Sequence, residues 1–600
     1  MTISIHLLGR PLIDVTSTEG YRFRSQKSWG LLAYLLLGDR SADRTHLCEL
    51  LFDSADDPLR ALRWSLAEIR RGLGDDALVE GDPVRLTLPP TAMVDVDVLT
   101  HGSWSDAVSL PGLGRELLEN LNPRGAAGFE TWLLSERRRI AAASEAILHE
   151  AAVASVSGGR VDKALDLAVR CLQLNPLDEN NQALVIRLHR RRGDVRGAQA
   201  QYESCVTLLR EELGIRPGVA VESALREEMP SRVPTANRAS IEAILEAGSA
   251  AVAAGAGESG LASMRTAVQL ADDAADPTLQ MSSRLALAEA LIHAQRGLDE
   301  DGIDALHGAD RIAAEHGDRA VMAEARTELG YVNFLRARYD RAEYWLSEAM
   351  ALAIDSPSAS AKARMYLGSV ESDRANYPRA LDHLDAAEVT FRSTGEGRRL
   401  AYLLSLRGRV HLLRGDLAVA AADLTASIEH AEHDRWLAFL PWPQAMLGEV
   451  ELASDRVDAA DELLQQAFAR ACQIGDPCWE GMSERGAALV AEARGEADRA
   501  FGLLADARTR CNRLADSYVW LDAYILDAHC ALGRRHDHPD TRRWVSAFQT
   551  LAGRTGMREM VVRSLLHGAA LGDQDAARAA VIMADGLDNP ALQALVESSA

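Results

Sequence analysis

Apolar residues follow three successive rhythms along this chain. Over roughly the first 95 residues, Ile3, Ile5 and Leu7 alternate with polar neighbours, as do Val84, Leu86 and Leu88, which is the period of half-buried strands. Between these runs the period lengthens to that of helices. "QKSWGLLAYLLL" predicts a buried helix, "RTHLCELLF" a short second one and "DPLRALRWSLAEIRRGLG" a third. The third carries Asp57 as cap, Pro58 in its first turn and Gly74 as its stop, the order that helix ends favour. Its Leu62, Leu66, Ile69 and Leu73 share one face and should bury against the other two helices. A hairpin turning at Gly81, Asp82 and Pro83 closes this region.

From about Val96 to Arg238 the pattern is helical without a convincing strand. Ala164 and Ala198 stand 34 residues apart, each followed seven residues later by a cysteine, Cys171 and Cys205, and Pro176 follows Ala164 by twelve. That is the period of a tetratricopeptide helix pair. "EEMPSRVPTANRAS" then supplies prolines and small polar residues suited to a linker. From Ile241 onward the repeat is plain. Gly330, Gly368, Gly408 and Gly448 each precede an alanine by twelve positions, Ala342, Ala380, Ala420 and Ala460, with successive copies 38 or 40 apart. Four residues after each alanine comes a leucine: Leu346, Leu384, Leu424 and Leu464. Small side chains let the two helices of a pair approach, and the leucine is expected to fill the gap to the next pair. Six or seven pairs fit, fading after about Val519 into two or three capping helices. The expected fold is mainly α: an N-terminal winged helix-turn-helix of α+β type in residues 1–95, a helical domain in 96–238 and a solenoid of repeats in 239–600.

Composition narrows the function. Hydrophobic residues make up 47% of the 600 and charged residues 26%, enough apolar surface for several true cores. The net charge of −23 means that any nucleic-acid contact must come from a local basic surface working against the field of the rest. Seven scattered cysteines without a C-x-x-C pair read as reduced thiols. The chain shows no basic leader before a long apolar stretch and no run of about 18 uncharged apolar residues, so a cytoplasmic protein without membrane contact is expected. None of the three lysines, Lys27, Lys163 and Lys362, follows a glycine, which excludes a G-x-x-x-x-G-K-[ST] phosphate loop. With no nucleophile elbow, H-E-x-x-H or dinucleotide fingerprint, and with His430, His433, His536 and His538 lacking further ligands, we expect no catalytic site, no metal and no cofactor.

The third helix offers the candidate chemistry. Opposite its apolar stripe lie Arg60, Trp64, Ala67 and Arg71, flanked by Arg63 and Arg70, with Glu68 as the one acid on the flank. Guanidinium forks take both phosphate oxygens and guanine edges, so such a face suits a DNA major groove. Arg85 projects from the hairpin, Arg44 opens the second helix and Lys27 opens the first; together they form the candidate DNA-binding set. In the array, the first helix of each pair should line the inner surface with Arg284, Tyr331, Lys362, Tyr402, Arg409 and Trp442. Aromatics mixed with cations suit a protein, a peptide, or an acidic or aromatic small-molecule effector.

"KSWGLLAYLLL", "RTHLCELLF" and "LRALRWSLAEIRRGLG" resemble the winged helix of the Streptomyces antibiotic regulatory protein family. "FETWLLSERRRI" and the stretch from Asn175 to Pro217 resemble that family's bacterial transcriptional activator domain, with Asn175, Pro176, Asp178, Glu179, Gly193, Asp194, Ala198, Tyr202, Leu213, Gly214 and Pro217 in register. The resemblance covers about residues 1–230. It implies transcription activation by homodimers on double-stranded DNA, with RNA polymerase as a partner. It departs at Arg60, where members often carry Asn, and at Ala67–Glu68, where a Ser–Arg pair is common. The alternative reading is a tetratricopeptide adaptor whose winged helix no longer reads DNA.

Overall fold

The structure is a computed structural model that describes residues 3–15, 18–74, 77–123, 125–212, 214–226, 237–253, 257–294, 299–514 and 517–599. Of the expected linker, 227–236 lie outside the described residues, as does Leu213. By compactness the chain forms two units, one of residues 1–147 with 530–600, the other of residues 148–529.

In the first unit the strands are β1 (Ile3–His6), β2 (Leu12–Val15), β3 (Thr18–Tyr21), β4 (Ser41–Ala42), β5 (Leu78–Glu80), β6 (Val84–Thr87) and β7 (Met93–Val94). The helices are α1 (Gln26–Leu37), α2 (Arg44–Phe52), α3 (Pro58–Leu73), α4 (Asp95–His101) and α5 (Trp104–Ala107). One sheet has the order β3-β2-β1-β7, with β1 antiparallel to β2 and parallel to β7; the other has the order β4-β6-β5. The three helices between the strands begin and end where the sequence places them. Asp57 accepts the Arg60 amide at 2.9 Å, and Gly74 leaves α3 at a φ of 76°, a conformation glycine adopts without steric cost. Leu62, Leu66, Ile69 and Leu73 are buried, and α3 packs against α1, α2 and β5. Asp95 receives the Leu7 and Leu8 amides, each at 2.9 Å, beyond the end of β1. Burial pushes that carboxyl up against the pull of these amides.

A long helix, α6 (Ala127–Ser157), starts in the first unit and ends in the second. Within the first unit it packs Phe129 onto Gly30 of α1. It also meets the last helices of the chain: Arg138 donates to the Gln549 carbonyl at 3.2 Å, and Gly128 faces Ile582. The helices expected to cap the array therefore pack inside the N-terminal unit.

The second unit continues with α7 (Val161–Leu174), α8 (Glu179–Arg191), α9 (Val195–Glu212) and α10 (Val219–Arg226). Ala164, Cys171, Ala198 and Cys205 are all fully buried there. Seven pairs follow among the described residues: α11 (Arg238–Ala253) with α12 (Gly257–Ala274), α13 (Pro277–Glu289) with α14 (Asp299–His316), and α15 (Arg319–Leu335) with α16 (Tyr339–Leu352). The next are α17 (Pro357–Asp373) with α18 (Tyr377–Thr394), α19 (Gly397–Arg414) with α20 (Leu417–His433), α21 (Pro441–Ala453) with α22 (Val457–Ile474), and α23 (Pro477–Ala493) with α24 (Ala497–Cys511). After them come α25 (Val519–Arg535), α26 (Thr541–Thr555), α27 (Arg558–Ala570), α28 (Gln574–Ala584) and α29 (Pro590–Ser599).

The repeating glycines are held by contact inside each pair. A Cβ on Gly330, Gly368, Gly408 or Gly448 would sit 2.5–2.8 Å from Cγ of Leu346, Leu384, Leu424 or Leu464. The leucine thus seats first on the glycine of its own pair. Leu464 also reaches forward, to 2.3 Å from the position of a Cβ on Gly486, which is the expected link to the next pair.

Candidate functional site

The face of α3 turned away from the core is built by exclusion. Once the four apolar residues are buried, Arg60, Arg63, Trp64, Arg70 and Arg71 must stand in solvent, and all five are exposed, Trp64 at 50%. Arg63 and Arg71 lean back along the helix, their Nε atoms donating to the Leu59 and Ala67 carbonyls at 3.1 and 3.3 Å. Among the described residues no carboxylate pairs with Arg60, Arg63, Arg71 or Arg85. Glu68 does not share this face. It is buried, and one oxygen accepts the Arg24 amide at 2.9 Å, so the segment between β3 and α1 covers the flank on which the acid lies.

The remaining cations of the set divide by role. Arg70 Nε donates to the Val79 carbonyl at 2.6 Å, tying α3 to β5. Arg44 donates through Nε and Nη2 to the Gly81 carbonyl at 3.1 and 3.0 Å, tying α2 to the hairpin turn. Both fix the hairpin against the helices, a positioning task that their residue type did not announce. Arg85 is exposed on β6, opposite Ser41 on one side and Glu80 on the other. Lys27 lies 5.4 Å over the Phe52 ring and borders an open cleft of about 660 Å³ with Ser25, Gln26, Asn122 and Pro123. The arrangement offers a convex helix whose unpaired guanidinium groups surround one indole, with a hairpin fixed alongside.

In the array the six candidate residues fall into three groups. Arg284 pairs with Asp272 at 2.8 Å, and Lys362 with Glu328 at 2.5 Å. Glu328 also accepts His293 at 2.7 Å. Burial opposes its charge, but Lys362 and His293 prevail and hold the carboxyl well below the usual range. Tyr331 and Tyr402 belong to an aromatic row with Tyr366 and Phe439, the ring centroids 4.7, 6.2 and 5.6 Å apart in the order Tyr331, Tyr366, Tyr402, Phe439. Arg409 and Trp442 lie in the interior, 0% and 2% exposed. Their neighbours, Asp373, Tyr518 and Trp520, were not singled out by sequence reasoning. The aromatic density of "SYVWLDAY" was the available signal. Also unforeseen was the clasp of Glu150, on α6, by Arg341 through two 2.9 Å bonds. Among the described residues no group of three His, Cys, Asp or Glu is poised to hold a metal ion, and no helix is long and apolar enough to cross a membrane.

Comparison with known proteins adds a domain identity. The model of the bacterial transcriptional activator domain matches residues 114–228, a span containing both segments on which the resemblance to that domain rests. No curated protein matches the chain. Among solved structures, a Rap protein complexed with competence and sporulation factor is similar at a TM-score of 0.44 and 10% identity, over 60% of this chain and 99% of that one. Mycobacterium tuberculosis EmbR in complex with a low affinity phosphopeptide is similar at 0.30 and 17%, over 37% and 64%. Yeast Tom70 is similar at 0.32 and 12%, over 79% and 91%. The chain carries a bacterial transcriptional activator domain and resembles regulators of the Streptomyces antibiotic regulatory protein type with C-terminal helical repeats.

Proposed function

We propose that this chain is a cytoplasmic, DNA-binding transcription regulator, an activator by family resemblance. Its α3 reads the major groove as the recognition helix of a winged helix-turn-helix, with the β5–β6 hairpin as the wing. The activator domain over 114–228 is the candidate contact for RNA polymerase, and binding as a homodimer follows from the same resemblance. The helical array receives a protein, peptide or small-molecule effector. The observation that carries this reading is the set of exposed arginines on α3 and β6 that no acid partners among the described residues, in a chain of net charge −23. A local cluster of guanidinium groups without acid partners is the kind of surface on which an otherwise acidic protein can meet phosphates and base edges. The adaptor reading loses one of its supports, since Glu68 is buried away from this face.

The test is fluorescence anisotropy of the full chain on DNA from upstream of its own gene and on random DNA, across a salt series. Wild type runs beside Arg63→Ala/Arg71→Ala, a pair that leaves the hairpin ties of Arg44 and Arg70 intact. Binding that weakens steeply with salt and is lost in the double variant is the expected result, because phosphate contacts release counterions. A folded chain that binds neither DNA at low salt would overturn this reading in favour of the adaptor.

A further inference from the structure

The face formed by the first helices of the array's pairs is covered by the chain itself. Tyr518, just before α25, donates to the Asp373 carboxylate at 3.1 and 3.0 Å and packs its ring 5.3 Å from Phe334. Arg409 pairs with the same carboxylate at 2.7 Å, bonds the Tyr518 hydroxyl and lies 4.5 Å from the centre of the Trp520 ring. One turn on, Tyr524 donates to Glu449 at 2.6 Å and presents its ring to Arg485 at 3.4 Å. Phe334, Asp373, Arg409, Glu449 and Arg485 come from α15, α17, α19, α21 and α23, the first helices of five consecutive pairs. A segment about 145 residues downstream of Asp373 therefore lies along one continuous surface of the array, and it does so through side-chain recognition rather than through the glycine–leucine contact that joins the helices of a pair.

We propose that this surface is a site for a partner helix bearing a leading tyrosine and one or two further aromatic residues on the same face, and that residues 518–524 hold it as an internal stand-in. The chemistry names the partner. Both cations of the site are neutralised by the site's own acids, Arg409 by Asp373 and Arg485 by Glu449, so what is left to recognise is phenol hydroxyls for the carboxylates and ring faces for the guanidinium groups. An anionic peptide finds no free charge there. The stand-in is also an imperfect complement: Arg409 Nε and Trp442 Nε1 are buried without an acceptor, a cost the resident segment leaves in place and a better-fitting partner removes. The proposal deepens the reading of the array as a partner-receiving surface and does not depend on DNA binding.

The test uses the full chain and a fluorescein-labelled peptide of residues 516–529. An occupied site weakens the apparent affinity in proportion to the fraction that is open. Wild type should bind the peptide weakly, and Tyr518→Ala/Trp520→Ala should bind it at least ten times more tightly. Adding Asp373→Asn should abolish that gain. Amides of 519–529 should exchange with solvent faster than those of α19, and faster still with peptide present. If the double variant melts cooperatively yet takes up no more peptide than wild type, or if the α25 amides exchange as slowly as those of α19, the segment is plain core and the proposal fails. Should the double variant not fold, Tyr518→Phe, which keeps the ring and loses only the hydroxyl, replaces it: a gain of a few fold supports exchange and no gain refutes it. The peptide assay contains no DNA, so its failure leaves the regulator reading standing, and loss of salt-sensitive DNA binding leaves the peptide result standing.

Discussion

Arginine does opposite work on the exposed face of α3 and β6 and in the array. On α3 and β6, Arg60, Arg63, Arg71 and Arg85 are exposed, with no carboxylate partner among the described residues. In the array, Arg326 bridges Asp310 and Glu348, Arg374 bridges Asp340 and Glu343, and Arg407 holds Asp385, Glu388 and Asp423 together. Several of these bridges join one helix pair to the next, so the array's arginines are part of what stacks it. The same side chain is mortar in the array and a free surface on α3 and β6, and what separates the cases is the position of acids around it. Charge counts along a sequence cannot make that distinction; neighbours in space do.

The widest gap between the units should open on truncation. Arg341→Ala leaves the Glu150 carboxylate buried without its cation, and breaking a buried pair from one side costs about 3–5 kcal/mol. Arg63→Ala, on the exposed face, should change stability by no more than about 0.5 kcal/mol. Denaturant melts followed by circular dichroism check both, and equal effects would erase the contrast. Acid should act on the array's buried pairs. Burial opposes the charge of Glu300 and of Glu328, yet their cationic neighbours hold both carboxyls well below the usual range. A carboxyl depressed on folding stabilises the protein at pH values above its unfolded pKa, near 4.5, and that stability drains away as pH falls below it. These two pairs should therefore lower the melting temperature as pH falls below about 4.5. Glu328→Gln should flatten part of that drop, and a slope unchanged by the substitution would contradict it.

Function should respond in reverse. Arg63→Ala/Arg71→Ala is expected to weaken DNA binding by about 2–6 kcal/mol, taking roughly 1–3 for each well-placed guanidinium, and to reduce the slope of log affinity on log salt by about 2. Arg407→Ala should leave DNA affinity per folded molecule unchanged. Anisotropy on both variants decides this, and loss of DNA binding in the array variant alone would reverse the assignment of roles.

How far the sequence could be read follows the same division. Periodicity reports which face of a helix is covered, so α1, α2 and α3 and the glycine–alanine–leucine frame of the array were legible residue by residue. What covers a face is a long-range fact. Glu68 lies between the stripe and the open face of α3, and only the path of residues 22–25 puts it inside. Arg44 and Arg70 looked like further free cations until the hairpin carbonyls were placed against them. The last helices looked like end caps because nothing in "RRHDHPDTRRW" or beyond it tells which distant surface they bury. Arg409 and Trp442 were expected to line the inner surface of the array as open side chains; both are buried, Arg409 against Tyr518 and Trp520 and Trp442 beside Tyr518.

The finest distinction concerns glycine inside the array. Gly408 and Gly502 are both helical, and a sequence frame treats each as a small residue in a repeat. A Cβ on Gly408 would lie 2.7 Å from Leu424 Cγ, whereas nothing stands within 4 Å of a Cβ on Gly502. Ala at position 408 gains helix propensity but must displace a fully buried leucine, and overpacking of that kind costs about 1–3 kcal/mol. Ala at 502 meets no neighbour and keeps only the propensity gain, about 0.5–1 kcal/mol of added stability. Opposite shifts in melting temperature for Gly408→Ala and Gly502→Ala are thus expected from one chemical change. If both destabilise, α24 is packed more closely than the open space around Gly502 allows; if both stabilise, the leucine can yield, and close approach is not what holds the pairs together.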